Sequence, residues 1–204
     1  VCRGGGGVPP GAEVEPGGRG GAAGTGSGGT AAEACILGEL QIKEPQLRIG
    51  INALYLIPGG VGGTEIYLRN LVGALASIDG SNEYILYTNR ETGGGLAPKA
   101  ANFRTSVQPV RARWRAARIL WEQLALPWIA LADGVDVLFN AGFTMPLVWG
   151  RPAVTVFHDL QHKRHPEFFG WFELLFWRFF LWGSAHRSKR LLAVSEATRQ
   201  DLLR

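Results

Sequence analysis

Three short stretches hold residue types that could do chemistry. The first is "PGGVGGTE", residues 58–65, where Gly59, Gly60, Gly62 and Gly63 are followed by Thr64 and Glu65. A glycine-rich turn opening a helix exposes backbone amides, and the positive end of the helix dipole adds to their pull on an anion. The second is "FHDLQHKRHP", residues 157–166, in which His158 precedes Asp159, with His162 and His165 further on. A histidine beside a carboxylate can move a proton or hold a substrate hydroxyl. The third is "AVSEATRQDLL", residues 193–203, where Ser195 stands at a strand end and opens a helix.

The glycine stretch fits the familiar phosphate fingerprints poorly. A dinucleotide turn needs G-x-G-x-x-G and an acid closing the second strand. Here Glu65 occupies the third glycine position, and Thr88-Asn89-Arg90 close the strand with Glu91 arriving late. That disfavours an NAD(P)-dependent oxidoreductase. A P-loop fails because no Lys-Ser/Thr pair follows the glycines. What remains is an anion-binding helix N-terminus, or a plain strand-helix turn that needs positive φ.

His158, His162 and His165 follow i, i+4, i+7 spacing, one face if helical, and with Asp159 could hold zinc in a metal-dependent hydrolase. Pro166 and the preceding strand argue for a loop instead, so no metal is expected. His158 is then either a hydrogen-bonding or acid/base residue, or a structural histidine that Asp159 orients. Ser195 is either a cleft residue or an ordinary N-cap.

Elements must bring these stretches together. Strands are expected at "LRIGINAL", "EYILYT", "FRTSVQPV", "VDVLF", "PAVTVF" and "RLLAV", with the third demoted to an edge or a strand end by Pro109. Between the first two lies a helix capped by Thr64, with Ile66, Leu71, Leu75 and Ile78 near its apolar face and Leu68 on the flank. A long helix at about 112–132 has an apolar stripe of Trp114, Ala117, Trp121, Leu124, Trp128 and Leu131, with Arg111, Arg115, Arg118 and Glu122 opposite. Pro127 is expected to kink or split it. An aromatic helix follows at about 168–185. Strands alternating with helices predict an α/β fold, a right-handed, doubly wound, mostly parallel Rossmann-like sheet. Ligands of such sheets bind beyond the carboxyl ends of the strands, where all three stretches fall.

Of the first 30 residues 13 are glycine, and Pro9, Pro10 and Pro16 interrupt the rest. Residues 1–45 therefore read as a disordered Gly/Pro-rich tail, with a weak helical pattern at "AAEACILGEL". The folded domain is expected over 46–204. Nothing has the shape of a signal peptide. A Val start, a single methionine at Met145 and an end inside a helix predict a fragment. Cys2 and Cys35 both lie in the tail, so no disulfide framework or cysteine metal site supports the domain.

Five blocks carry a resemblance: "RIGINALYLIPGGVGGTEIYLRNLVGAL", "NEYILYTN", "WEQLALPWIALADGVDVLFNAGFTMPL", "AVTVFHDLQHKRHP" and "LLAVSEATRQDLL". In this order and spacing they resemble family-4 retaining glycosyltransferases, most closely the mannosyltransferase type, over residues 47–204. The resemblance implies the N-terminal, acceptor-side half of a GT-B enzyme. It implies that Gly60, Gly62, Gly63 and Thr64 approach the donor diphosphate and the acceptor. His158 would contact the transferred sugar or acceptor, Asp159 would orient it, and Ser195 would lie near the interdomain cleft. The nucleotide-sugar is a co-substrate, so no cofactor and no metal are expected. The family's second domain, with its basic pair and two glutamates seven residues apart, is not in this sequence. The chain alone is therefore expected to fold, bind a glycan or lipid-linked acceptor weakly and transfer no sugar. The other reading is a stand-alone phosphate- or nucleotide-binding module.

"FFGWFELLFWRFFLW", residues 168–182, has nine aromatics and two charges. It is too short and too charged to span a membrane, and either packs on the sheet or touches lipid. Six basic residues and no acid lie from Lys99 to Arg118, within a net charge of +4. Arg111 to Arg118 are either a solvated face or a headgroup contact. Nucleic acid is not expected, since no recognition module accompanies the arginines. A cytoplasmic protein, peripheral at a membrane, is the expected setting.

Overall fold

The computed structural model describes residues 46–160, 166–168 and 170–203, all within the unit Glu44–Arg204. The expected tail, and His162 and His165 with the zinc reading built on them, lie outside the described residues.

Six strands form one parallel sheet: β1 (Arg48–Asn52), β2 (Glu83–Thr88), β3 (Phe103–Val107), β4 (Val137–Asn140), β5 (Ala153–Phe157) and β6 (Arg190–Ala193). Their order is β3-β2-β1-β4-β5-β6, with the reversal between β1 and β4. β3 is an edge strand, and it ends two residues before Pro109. Helices α1 (Gly63–Ile78), α2 (Arg115–Leu124), α3 (Leu126–Ala132), α4 (Trp171–Arg187) and α5 (Glu196–Leu203) connect or follow them, with a 3-10 turn at Pro166–Phe168.

Both faces of the sheet are covered, and alternation along β2 shows it. Tyr84 and Leu86 join Ile51, Leu56, Leu68 and Val72 on one side. Ile85 and Tyr87 join Leu126, Ala130, Leu138 and Trp149 on the other. Successive side chains of a strand point to opposite faces, so a strand buried on both reads as a continuous apolar run. This is the doubly wound α/β arrangement expected from the alternation of strands and helices.

Two helix faces differ from expectation. In α1 it is Leu68 and Val72 that are buried, while Ile66 and Ile78 are exposed. Leu68 is central rather than flanking. In the second region Pro127 divides the helix at Ala125, and the first half starts at Arg115 rather than 112. The assigned faces are largely reversed there. Trp114, Leu124 and Trp128 are exposed, and Arg118, Ile119 and Glu122 face inward. Only Trp121 and Leu131 of the expected stripe pack on the core. The helix has an apolar side and a charged side, and periodicity alone does not show which of them meets the sheet.

Candidate active-site cleft

The segment after β1 is held from the end of β2. The Asn89 side-chain amide donates to the carbonyls of Leu54 (2.9 Å) and Leu56 (2.6 Å), and the Thr92 hydroxyl donates to Leu56 O at 2.8 Å. The Thr92 N–H in turn donates to Asn89 Oδ1 at 2.9 Å. These buried bonds fix the approach to the glycine turn, where Gly59 (φ 71°) and Gly62 (φ 58°) adopt backbone that side chains disfavour.

Glu65 closes the turn. Its carboxylate accepts from Arg69 Nε at 2.8 Å and from the Gly59 N–H at 2.7 Å. Arg69 first, then the Gly59 amide, hold this carboxyl below its ordinary range. The Gly60 N–H donates to Ile57 O at 2.8 Å. Two loop amides are thus used internally, and the open donors are the first helical amides, Gly63 and Thr64. Thr64 is not the N-cap. Gly62 is, without a side-chain cap, and the Thr64 hydroxyl donates to Val61 O at 2.9 Å. Positive φ at Gly62 lets the helix start two residues earlier than a Thr64 cap would.

At the sheet's reversal point Asn52 and Asn140 are register partners on β1 and β4, and the Asn52 amide donates to Asn140 Oδ1 at 3.2 Å. Against them α2 presents a buried acid. Glu122 is 1% exposed, and its carboxyl receives hydrogen bonds from Thr144 and Asn52. One turn earlier, Arg118 is 5% exposed. Burial pushes the Glu122 carboxyl up and the Arg118 guanidinium down, each partly countered by the other's charge. Arg118 Nε and Glu122 Oε1 have no hydrogen-bond partner. Burying two charges with unmet polar atoms is costly, and such sites concentrate where ligands bind.

These elements surround a cavity of about 660 Å³ beyond the ends of β1, β4 and β5. Gly60, Thr64, Arg118, Phe143, Asp159 and Trp177 are among its walls. His158 is half-buried at the β5 end and is not a wall residue. Its Nε2 lies 2.9 Å from the Ala141 carbonyl, which only accepts, so Nε2 carries a proton and Nδ1 is the acceptor of the neutral ring. The ring meets Tyr67 and Phe143 edge-on, at centroid distances of 5.2 and 5.3 Å. Phe143 holds φ 68°, the one non-glycine residue with positive φ among those described. Strain of this kind costs on the order of 1–3 kcal/mol and gathers at functional sites.

A family model described as Glycosyltransferase Family 4 matches residues 61–204. The chain belongs to this family. No similarity to a curated protein reaches significance. The matched region contains the first turn of α1, the Arg118–Glu122 pair, His158, Asp159 and Ser195, so the cleft belongs to a glycosyltransferase domain.

Within this glycosyltransferase domain Ser195 serves as the N-cap of α5. Its Oγ accepts the Thr198 N–H at 3.1 Å, and the Thr198 hydroxyl donates to the His158 carbonyl at 3.0 Å. Ser195 thus acts on the His158 loop through Thr198. Sequence reasoning missed Asn89, Thr92, Asn52 and the inward turn of Arg118 and Glu122. A signal for the last was "WEQ", since its three residues reach different parts of the fold. Trp121 Nε1 donates to Gln108 Oε1 at 3.2 Å, Glu122 faces the reversal point, and Gln123 bonds Met145 O and Leu147 N, both at 2.9 Å.

Gly142, another wall residue, has no room for a side chain. A Cβ there would fall within the Tyr55 ring. Gly142→Ala is expected to cost about 1–3 kcal/mol, the range for overpacking. Urea denaturation checks this, and an unchanged midpoint would show that Tyr55 moves freely.

Proposed function

We propose that this domain is the acceptor side of a retaining GT-B glycosyltransferase. The enzyme would transfer a mannose-type sugar from a nucleotide-sugar to a glycan or lipid-linked acceptor. The cavity at the sheet's reversal point carries the reading, because it joins open amides, buried charge and the His158 loop where parallel sheets bind ligands. In the reaction the bond from the anomeric carbon to the diphosphate oxygen breaks, an acceptor oxygen bonds on the same face, and its proton passes to the departing diphosphate. The amides of Gly63 and Thr64 and the α1 dipole favour the leaving diphosphate's charge. His158 contacts the transferred sugar or the acceptor, and Asp159 orients it. A second domain supplies the nucleotide site. Neither metal nor cofactor has a part.

The test is product stereochemistry. The complete gene product, given nucleotide-mannose and acceptor, should form a glycoside with the donor's anomeric configuration, read by NMR. Inversion would overturn the retaining assignment, and no transfer from any nucleotide-sugar would overturn the function.

The exposed face of α4 supports a peripheral contact with a membrane. Trp171, Leu175, Phe179 and Trp182 form an exposed ridge, while Leu181 and Trp177 on the other side pack toward Phe157 and Leu160. No helix among the described residues is long and apolar enough to cross a membrane. An aromatic ridge of this kind suits the interfacial zone of a bilayer. Arg111–Arg118 offer headgroups less than their number suggests, since Arg118 is buried and Arg113 lies 3.7 Å from Glu91. Cosedimentation with phosphatidylglycerol-containing vesicles is expected to fall when Trp171 and Trp182 are both replaced by serine. Equal binding by the variant would remove the lipid role of this face.

A further inference from the structure

We infer that the cleft selects an acceptor bearing an oxyanion, a phosphate or a carboxylate, and that Arg118 is the residue that reads it. This rests on the acceptor-side reading of the domain and narrows its substrate class.

Arg118 is a buried cation that forms part of the cavity wall, and its Nε has no hydrogen-bond partner. A guanidinium held this way is expensive unless a counter-charge arrives, and its planar fork matches phosphate or carboxylate oxygens. Glu122, one helical turn on, explains how the buried cation is tolerated. It offers charge from behind the wall, while its own carboxyl is engaged by Thr144 and Asn52. Glu122 therefore positions and balances Arg118.

The remaining walls agree. Asp159 is the one acid among the lining residues, against the two cations Arg115 and Arg118. Arg115 lies over the Trp177 ring, 5.6 Å from its centroid. Tyr55, Phe143 and Trp177 supply flat apolar surface on which a sugar's non-polar face can rest. Aromatic floor plus buried cation describes a site for an acidic sugar rather than a neutral one.

Tryptophan fluorescence of the 204-residue chain tests this, since Trp177 is in the wall. The probes are methyl mannoside, mannose 1-phosphate and glucuronic acid, titrated at constant ionic strength. At least one anionic probe should bind about tenfold or more tighter than the neutral glycoside, as a charge-assisted hydrogen bond implies. The stronger arm identifies phosphate or carboxylate as the source of the anion. The double variant R118Q/E122Q removes both charges together, so it should melt as the parent does and lose the preference while still binding methyl mannoside. R118K keeps the charge without the fork and should retain a reduced preference. Equal affinity for neutral and anionic probes, no saturable binding of any probe, or full preference in the double variant would each overturn the inference. Should the double variant not fold, undiminished preference in R118K overturns it. Retained configuration in the sugar-transfer product, alongside any of those failures, leaves the glycosyltransferase reading standing.

Discussion

His158→Ala in the complete enzyme should lower sugar transfer by about 10²–10⁴-fold, the range associated with a positioned acid/base group. Nucleotide-sugar binding should persist, because the proposed nucleotide site lies in the other domain. The reasoning starts from the ring's surroundings. The Ala141 carbonyl fixes the tautomer at 2.9 Å, while Tyr67 and Phe143 limit how the ring can turn. Nδ1 is left as the atom able to accept from a sugar hydroxyl. A purely structural histidine would show itself differently, as a lowered melting temperature with turnover little changed. Steady-state kinetics and thermal melts on the same variant separate the two, and unchanged turnover sinks the proposed role.

The second large effect concerns Glu122. Glu122→Ala leaves Arg118 as a buried cation without its counter-charge, and breaking a buried pair from one side costs about 3–5 kcal/mol. Chemical denaturation measures it, and a loss below about 1 kcal/mol would mean that solvent reaches Arg118 once the carboxyl is gone. The parent protein should also carry a pH signature. Burial raises the folded-state pKa of Glu122, so between the unfolded value and that raised value the folded chain binds more protons than the unfolded one. Stability then falls as pH rises through this window, and the group's contribution is most favourable below the unfolded pKa. Glu122→Gln removes the titration, and the difference between the two pH profiles isolates it. A parallel pair of profiles would show that Glu122 stays in one protonation state throughout.

The cleft was legible in outline because its motifs sit at strand ends, and strand ends are set by local patterning. "EYILYT" carries an unbroken run from Tyr84 to Tyr87 of apolar and aromatic residues, so it reads as a strand buried on both faces. Glycines at 59 and 62 likewise announce a turn that other residues enter only with strain. Caps were less legible, since Thr64 and Gly62 both suit the start of α1 and only the backbone's positive φ decides between them.

The sequence by itself determined the alternation of strands and helices, the two-sided core and the three loops that meet beyond the sheet. Each follows from short-range period and turn chemistry. Only the tertiary structure decided that Arg118 and Glu122 face inward while Trp114 and Trp128 face out. The physical reason is that periodicity shows which residues share a helix face, while the partners across the interface decide which face turns inward. Asn52 and Thr144, 70 and 22 residues from Glu122 along the chain, offer that side hydrogen-bond donors for the buried carboxyl.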